Sequence, residues 1–156
     1  MARWREVEAL APQLVAFARS FLDANGHKTM ATLRRDGSPR ISGTEVVFAD
    51  GDLWLGSMPG SVKSQDLKRD GRFAIHSASP PPAEWAGDAK LAGTARLVTD
   101  AAKRQRLLRG APDPDASDLF VCDVTELSVV RLGEPPDHLV IESWHPDRGV
   151  TRMERR

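Results

Sequence analysis

The sequence has 156 residues, with 22 basic and 22 acidic side chains and therefore a formal net charge of zero. This balance gives no electrostatic reason to expect a nucleic acid or another polyanion as a partner. No apolar stretch is long enough to span a membrane, and the first residues lack the apolar core of a signal peptide. The length is typical of one domain with a substantial core, and we predict a single domain over residues 1–156.

The chain begins with a helical segment, predicted over about residues 3–25. Apolar residues recur there at spacings of three and four, which predicts one buried helical face. This face consists of Trp4, Val7, Leu10, Leu14, Phe17 and Phe21. Pro12 falls inside the pattern, and since proline is tolerated in the first turn of a helix, we expect a break near Ala11. Asn25–Gly26 predicts a left-handed cap at the end of the segment.

A series of short strands follows, separated by tight turns such as Asp36–Gly37 and Asp50–Gly51. The predicted strands cover residues 29–33, 40–48, 53–57, 72–77, 89–98, 119–132, 139–144 and 150–153, and helices are predicted at 61–69 and 100–110. The segment 119–132 is either one bent strand or two strands with a turn near Thr125–Glu126. Consecutive short hairpins favour a closed barrel over an open sandwich, because little chain is left for long crossovers.

The helix at 61–69 is the most informative element for function. It follows the strand 53–57 through Pro59–Gly60, and its first turn contains Ser61 and Lys63. Free backbone N–H groups and the positive end of the helix dipole lie at such a position, and an ammonium group adds charge. This arrangement predicts a phosphate site and a phosphorylated cofactor. Ser61 is also the expected N-cap, and Lys63 could instead be a solvated helix lysine.

The histidines and the cysteine do not form a metal-binding pattern. His27, His138 and His145 do not have metal-ligand spacing with Cys122, so no metal is expected. Cys122 is the single cysteine, which excludes an internal disulfide, and its apolar neighbours predict a buried side chain rather than a nucleophile. A lone thiol fits a reducing compartment, and we predict a cytoplasmic protein. His76 lies among apolar residues and is expected to be a partly buried structural histidine.

Five segments, taken in order, resemble one family. They are residues 30–40, 53–57, 61–63, 66–72 and 74–77, which read MATLRRDGSPR, LWLGS, SVK, DLKRDGR and AIHS. The ordered combination resembles the pyridoxamine 5′-phosphate oxidase-like, FMN-binding split-barrel superfamily over about residues 5–133. The resemblance implies a mainly β fold with flanking helices, built as a six-stranded antiparallel split β-barrel. It also implies a homodimer with two flavin sites at the subunit interface.

The resemblance further implies a set of cofactor-binding residues. These are Thr44, Val46, Ser57, Met58, Ser61 and Lys63. The serine and lysine of the helix start would contact the phosphate, and the residues at the end of strand 53–57 would lie near the ribityl chain or the ring. The second strand would run beside the flavin ring. Glu45 on that strand is either an outward-facing polar residue or a charge near the ring, and strand alternation favours the first reading.

Departures from the true oxidases bear on function. The second strand reads ISGTEVV and lacks their arginine and lysine, and Val62 replaces an arginine at the helix start. Their C-terminal signature of arginine and histidine has no clear counterpart. We therefore do not expect pyridoxamine phosphate oxidation. The resemblance implies instead a flavin-dependent oxidoreductase in which FMN transfers a hydride to or from a small organic substrate.

Alternatives stay open at this point. A reductase of the same fold could use the deazaflavin coenzyme F-420, whose acidic tail would need further cations. Four arginines are available for it: Arg34, Arg35, Arg40 and Arg69. The protein could also be a non-enzymatic flavin- or heme-binding protein, in which a histidine would have to be the axial ligand of heme. A degenerate dimer that binds neither group is the last alternative. No catalytic acid–base pair is evident in the sequence.

Overall fold

The computed structural model describes residues 1–156 as four α-helices and nine strands of one sheet. The helices are α1 (Trp4–Leu10), α2 (Pro12–Asp23), α3 (Val62–Arg69) and α4 (Ala101–Leu107). The strands are β1 (Lys28–Leu33), β2 (Pro39–Thr44), β3 (Val46–Ala49), β4 (Asp52–Ser57), β5 (Arg72–His76), β6 (Gly87–Leu97), β7 (Asp118–Leu132), β8 (Leu139–His145) and β9 (Gly149–Arg155). All strand pairings are antiparallel.

The break in the N-terminal helical segment is confirmed. Ala11 has a non-helical backbone, and Pro12 starts α2. The buried face differs from the prediction, because Leu10 is 67% exposed and Phe17 is also exposed. The break restarts the helical phase, so α2 buries other positions than the pattern predicted. The buried residues of α2 are Leu14, Val15, Ala18 and Leu22.

The predicted left-handed cap after α2 is wrong. Neither Asn25 nor Gly26 has a positive φ. Lys28 caps the end of the helical segment instead. Its Nζ donates hydrogen bonds to the carbonyl oxygens of Asn25 at 2.6 Å and Gly26 at 2.9 Å. Burial lowers the pKa of Lys28, but these two acceptors support its ammonium form. A side chain from β1 therefore replaces the glycine conformation that the sequence predicted.

The barrel closes through a strand that changes partner. The sheet order is β2-β1-β5-β6-β7-β4-β3, and its two end strands, β2 and β3, are consecutive in the chain. The predicted strand 40–48 is therefore broken at Glu45: its first half pairs with β1 and its second half with β4. Counted as one bent strand, β2 and β3 complete the expected six-stranded split barrel. The β8–β9 hairpin extends the sheet from β7 and raises the strand count to nine.

The segment after residue 117 forms one long strand. β7 runs through 15 residues, and a bulge replaces the alternative of a turn near Thr125–Glu126. Ala92 pairs with Glu126 and Gly93 with Val124, which leaves Thr125 without a partner. Gly93 is required there, because a Cβ at this position would lie 2.1 Å from the carbonyl oxygen of Asp123.

Two hydrophobic clusters hold the fold together. The larger contains 23 buried residues from the barrel interior and the N-terminal helices, among them Trp4, Phe120 and Trp144. Cys122 belongs to it and is fully buried as predicted, and burial raises the pKa of its thiol. The smaller cluster lies on the outer face of β4 and β7 and comprises Trp54, Leu108, Leu119 and Val121. No helix is both long and apolar enough to cross a membrane.

Candidate functional site

The start of α3 is built around two serine hydroxyls. Ser61 is the N-cap, as predicted, and its Oγ accepts a hydrogen bond from the backbone N–H of Ser64 at 3.3 Å. The Oγ atoms of Ser57 and Ser61 lie 2.6 Å apart and share a hydrogen bond. Gly60 turns the chain between them with a φ of 67°. The end of β4 and the first turn of α3 thus form one polar corner.

This corner opens into a cavity of about 600 Å³. Its polar side comes from the end of β4, the start of α3 and the junction of β2 and β3. Its apolar side comes from the smaller hydrophobic cluster and the chain after α4. The lining residues are His27, Gly43, Thr44, Glu45, Val47, Trp54, Gly56, Ser57, Met58, Lys63, Leu107, Leu108, Gly110, Ala111, Pro112, Ser117 and Leu119.

Lys63 lies across the polar side of the cavity. Its Nζ donates a hydrogen bond to the carbonyl oxygen of Gly43 at 2.7 Å. Burial lowers the pKa of Lys63, and the carboxylate of Glu45 acts in the opposite direction. The alternative of a freely solvated lysine does not describe this side chain, because it bridges α3 to β2 and lines the cavity.

The structure brings four of the six sequence-predicted residues to the cavity wall: Thr44, Ser57, Met58 and Lys63. Met58 is 67% exposed and lies at the rim. Ser61 is one hydrogen bond behind the wall, through Ser57. Val46 is not at the cavity, since its side chain packs against the larger core. Alternation along β3 puts Val47 at the cavity in its place.

Glu45 and His27 meet at the rim of the cavity. The register of β1 and β2 pairs Lys28 with Thr44, so the residues just beyond this pair come together. His27 Nε2 and Glu45 Oε1 are 3.9 Å apart. The Glu45 side chain is 69% exposed, as an outward-facing polar residue would be, and it also lines the cavity.

The apolar wall of the cavity was missed in the sequence. Leu107, Leu108, Ala111 and Pro112 lie more than forty residues after the helix start that they face. Arg104 holds their loop in place by donating to the carbonyl oxygens of Asp115 at 2.8 Å and Ser117 at 2.9 Å. The one available sequence signal was the Leu107–Leu108 pair in an otherwise polar helix.

Nearby arginines serve the scaffold. Arg40 and Arg69 both donate to the buried carboxylate of Asp66, at 2.7 and 3.0 Å, and Thr32 donates to it at 3.0 Å. Burial favours a higher pKa for Asp66, but these hydrogen bonds outweigh it and hold the pKa below its usual value. Asp118 fastens the other side of α3, accepting from Ser64 Oγ at 2.5 Å and pairing with Lys68.

The remaining candidates lie outside this cavity. His76 is partly buried, and its Nδ1 lies 2.6 Å from the carbonyl oxygen of Ser77, as expected of a structural histidine. It borders a separate groove of about 320 Å³ on the outer face of β1, β2, β5 and β6. No group of three or more His, Cys, Asp or Glu side chains is placed to hold a metal ion.

A closed antiparallel barrel with a half-polar, half-apolar cavity beside its closing strand defines a split-barrel protein. The sequence profile described as pyridoxamine 5′-phosphate oxidase matches residues 14–131, which is most of the chain. The protein therefore belongs to the pyridoxamine 5′-phosphate oxidase family, and the resemblance stated from the sequence is confirmed. No protein of the curated set matches the sequence.

Solved structures share the fold. A pyridoxamine 5′-phosphate oxidase-related, FMN-binding protein from Nostoc punctiforme PCC 73102 is 16% identical with a TM-score of 0.60, over 100% of this chain and 98% of that one. PhzG from Burkholderia lata 383, in complex with tetrahydrophenazine-1-carboxylic acid, is 12% identical with a TM-score of 0.68, over 96% and 89%. An F420 reductase is 20% identical with a TM-score of 0.56, over 70% and 94%. At these identities the likeness shows the fold.

Proposed function

We propose that this protein is an oxidoreductase that binds FMN or the deazaflavin coenzyme F-420 and moves a hydride to or from a small organic substrate. The observation that carries the proposal is the convergence of Thr44, Ser57, Met58 and Lys63 on one cavity. They come from β2, the end of β4 with the residue after it, and α3, and the family resemblance implies a cofactor contact for each of them. FMN binding and F420 reduction are named for two proteins of the same fold.

The donor set of the cavity fits a phosphorylated flavin. Ser57, Ser61 and Lys63 supply hydroxyl and ammonium donors for a phosphate at the start of α3. Trp54, Leu108 and Leu119 supply apolar groups on the other side of the cavity, against which a flat ring would pack. When bound, the cofactor supplies the hydride chemistry.

The residues of this chain would position the reacting groups rather than react. Lys63 holds the polar end of the cavity to β2, and the loop fastened by Arg104 lines its apolar end. No side chain is assigned to proton transfer. Because no side chain transfers a proton and one wall of the cavity is apolar, the site favours a small, largely apolar substrate that exchanges a hydride with the cofactor.

We further propose that the protein is a homodimer. The groove on the outer face of β1, β2, β5 and β6 carries Ile41, which is 68% exposed, among small residues such as Ala31, Ala74 and Ala92. Lys90 and Glu126 lie at its margin. Glu126 accepts a hydrogen bond from Ser128 and forms no ion pair within the chain, and Lys90, paired here with Asp88 at 3.4 Å, is the lysine that a second copy would bring to it in an isologous contact. A cytoplasmic location completes the proposal, since the one cysteine is a free thiol.

The decisive experiment is to record the visible spectrum of the purified protein and to identify any small molecule released on denaturation by mass spectrometry. Released FMN, or tight uptake of FMN by the apoprotein, supports the flavin oxidoreductase. Released F-420 supports the deazaflavin reductase. Flavin retention without turnover under any reductant would favour a flavin carrier or sensor, and a bound heme would favour a heme protein. A colourless protein that takes up none of them contradicts the proposal.

A further inference from the structure

The strand β9 forms an open edge of the sheet. It is hydrogen-bonded to β8 and to no other strand, and all seven of its residues are exposed. One row of its backbone N–H and C=O groups is therefore free to pair with another strand. Proteins commonly block such an edge with a proline, a lysine or a bulge. β9 contains neither proline nor lysine, and its register with β8 has no bulge.

Two opposite charges lie symmetrically about one apolar residue of β9. Arg152 and Glu154 are two residues apart and project from the same face of the strand, where Arg152 Nη2 donates to Glu154 Oε1 at 2.7 Å. Met153 lies between them and projects from the opposite face. Its side chain is 52% exposed. The order of charges therefore reverses when the strand is turned end for end.

This symmetry makes the edge complementary to itself. In an antiparallel pair of two β9 strands centred on Met153, Arg152 of each copy lies opposite the partner's Glu154. The Cβ atoms of opposite residues are about 4.5–5.5 Å apart, where unlike charges stabilise the pair and like charges destabilise it. Two arginines and two glutamates then form a closed ring of alternating charge on one face of the joined sheet.

Neighbouring registers lose this match. A pair centred on Arg152 sets two arginines against each other, and a pair centred on Glu154 sets two glutamates against each other. A centre between Met153 and Glu154 places Arg152 opposite the partner's Arg155. A centre between Glu154 and Arg155 does match unlike charges, but it overlaps only these two residues of β9. The register centred on Met153 overlaps residues 151–155 and is the longest that sets unlike charges opposite each other.

The charge pattern continues from the edge into the sheet. Arg152 lies opposite Glu142 of β8, and Glu142 accepts a hydrogen bond from Arg131 of β7 at 3.1 Å. Arginine and glutamate therefore alternate across three strands of one copy. With Glu154 of a second copy beside Arg152, the alternation continues across the joined edges.

The opposite face of the hairpin is apolar at the same level. Met153 lies opposite Ile141 of β8, and Ile141 lies opposite Val130 of β7. In the register centred on Met153, the two Met153 side chains lie against each other and extend this apolar row from one copy into the next. Pairing would therefore bury exposed apolar surface on one face while it joins charges on the other.

We propose that β9 is a self-association edge, through which two copies of this chain pair antiparallel over residues 151–155 with Met153 at the centre. The two β8–β9 hairpins then form one continuous antiparallel ladder. This contact is separate from the proposed dimer groove, because none of the residues that line the groove belongs to β8 or β9.

The first test is disulfide cross-linking of Met153→Cys with copper phenanthroline, followed by intact-mass measurement. Opposite Cβ atoms at the centre of the pair lie close to the span of a disulfide, and the native Cys122 is fully buried. Thr151→Cys is the matched control, because it is exposed on the same face of β9. Its two thiols would be about 13 Å apart along the joined strands. We expect Met153→Cys to cross-link at least about tenfold faster, also in the Ile41→Glu background, in which the groove is disrupted.

The second test exchanges the charges in Met153→Cys protein. Arg152→Glu or Glu154→Arg sets like charges opposite each other, so each variant alone should cross-link about tenfold more slowly. An equal mixture of the two variants restores unlike pairs, and cross-linking should recover as mixed dimers, which their mass distinguishes. A contact within one chain does not produce this recovery.

Three results would overturn the inference. They are no cross-linking of Met153→Cys, equal rates for Met153→Cys and Thr151→Cys, and no excess of mixed dimers from the mixture. The first would leave the edge to a strand of another protein, and the second would indicate random collision or another register. None of them bears on the proposed flavin function, which the spectrum and the released cofactor test separately.

Discussion

Lys63 Nζ donates to the carbonyl oxygen of Gly43 at 2.7 Å, which joins the first turn of α3 to the end of β2. On the other side of the same turn, Ser61 shares a hydrogen bond with Ser57 at the end of β4. The helix start is therefore fastened to both strands that border the cavity. A ligand anion at Lys63 would have to share or displace the Gly43 carbonyl, which links cofactor binding to the position of β2.

Lys63→Ala should weaken flavin binding. The variant removes the one lysine or arginine among the lining residues, and a charge-assisted contact contributes about 1.5–3 kcal/mol. Isothermal titration of the apoprotein with FMN and with riboflavin measures the loss. Riboflavin has no phosphate, so its affinity should change little. Lys103→Ala, an exposed lysine of α4, is the control and should behave as wild type. Equal FMN affinity in Lys63→Ala and wild type would show that the phosphate lies elsewhere.

Asp66→Asn should destabilise the fold by about 2 kcal/mol, because it leaves Arg40 and Arg69 without their buried anionic partner. Urea unfolding at pH 7 measures the effect. Asp147→Asn, in the turn between β8 and β9, is the control, since Asp147 takes part in no ion pair. A decrease of less than about 0.5 kcal/mol in the free energy of unfolding would mean that hydration of the two arginines compensates for the loss of the Asp66 carboxylate.

The same carboxylate predicts an acid limb in stability. The folded-state pKa of Asp66 is lowered, so its stabilisation is fully present above the unfolded-state pKa, near 3.9, and is lost as the pH falls through the folded-state value. Wild-type stability should therefore decrease below about pH 4, and the decrease should be shallower in Asp66→Asn. Thermal unfolding at pH 3 and pH 6 compares the two proteins. Parallel pH profiles would assign the acid limb to other carboxylates such as Asp118.

Gly93→Ala should destabilise the barrel strongly, because the added Cβ would meet the carbonyl oxygen of Asp123 at 2.1 Å. Displacing that backbone next to the β7 bulge costs about 2 kcal/mol or more. Gly26→Ala is the control, since nothing lies within 4 Å of a Cβ there. Denaturant midpoints of the two variants should differ clearly. Similar midpoints would show that the bulge can relax.

Ile41→Glu should dissociate the proposed dimer. A charge in the middle of the outer groove would be buried without a partner when a second copy docks. Leu10→Glu is a closely matched control, because Leu10 is 67% exposed and Ile41 is 68% exposed, but Leu10 lies on α1 away from the groove. Sedimentation velocity gives the result. The groove is not the dimer interface if both variants sediment like wild type.

Local patterns in the sequence predicted most of the fold. The Pro12 break, the Asp36–Gly37 and Asp50–Gly51 turns and the Ser61 cap depend on neighbouring residues, and each appears in the structure. The change of partner at Glu45 could not be predicted in this way. It depends on which strands meet when the barrel closes, and Glu45 itself fits the alternation of an unbroken strand.

Local sequence pattern predicted only the part of the candidate site that is contiguous in the chain, and Thr44 on β2 came from the family resemblance. Ser57 and Lys63 lie on either side of one turn, so the pattern of that turn already places them together. Leu107 and Pro112 reach the cavity through the packing of α4 on β7, which no short segment encodes. Val46 was assigned from the family resemblance. A resemblance of this kind does not determine which residues of β3 face the cavity after the break at Glu45, and Val46 faces the core.

The barrel has a seam at the cavity. β2 is hydrogen-bonded only to β1, and β3 only to β4, so no ladder joins the two halves of the closing strand to each other across the opening. A ligand that contacts both Thr44 and Ser57 would act as a clasp on this seam. Its binding should slow amide hydrogen exchange in β2 and β3 more than in β5 and β6, which are hydrogen-bonded to a neighbouring strand on both sides. Binding of the cofactor would therefore also stabilise the closed form of the barrel.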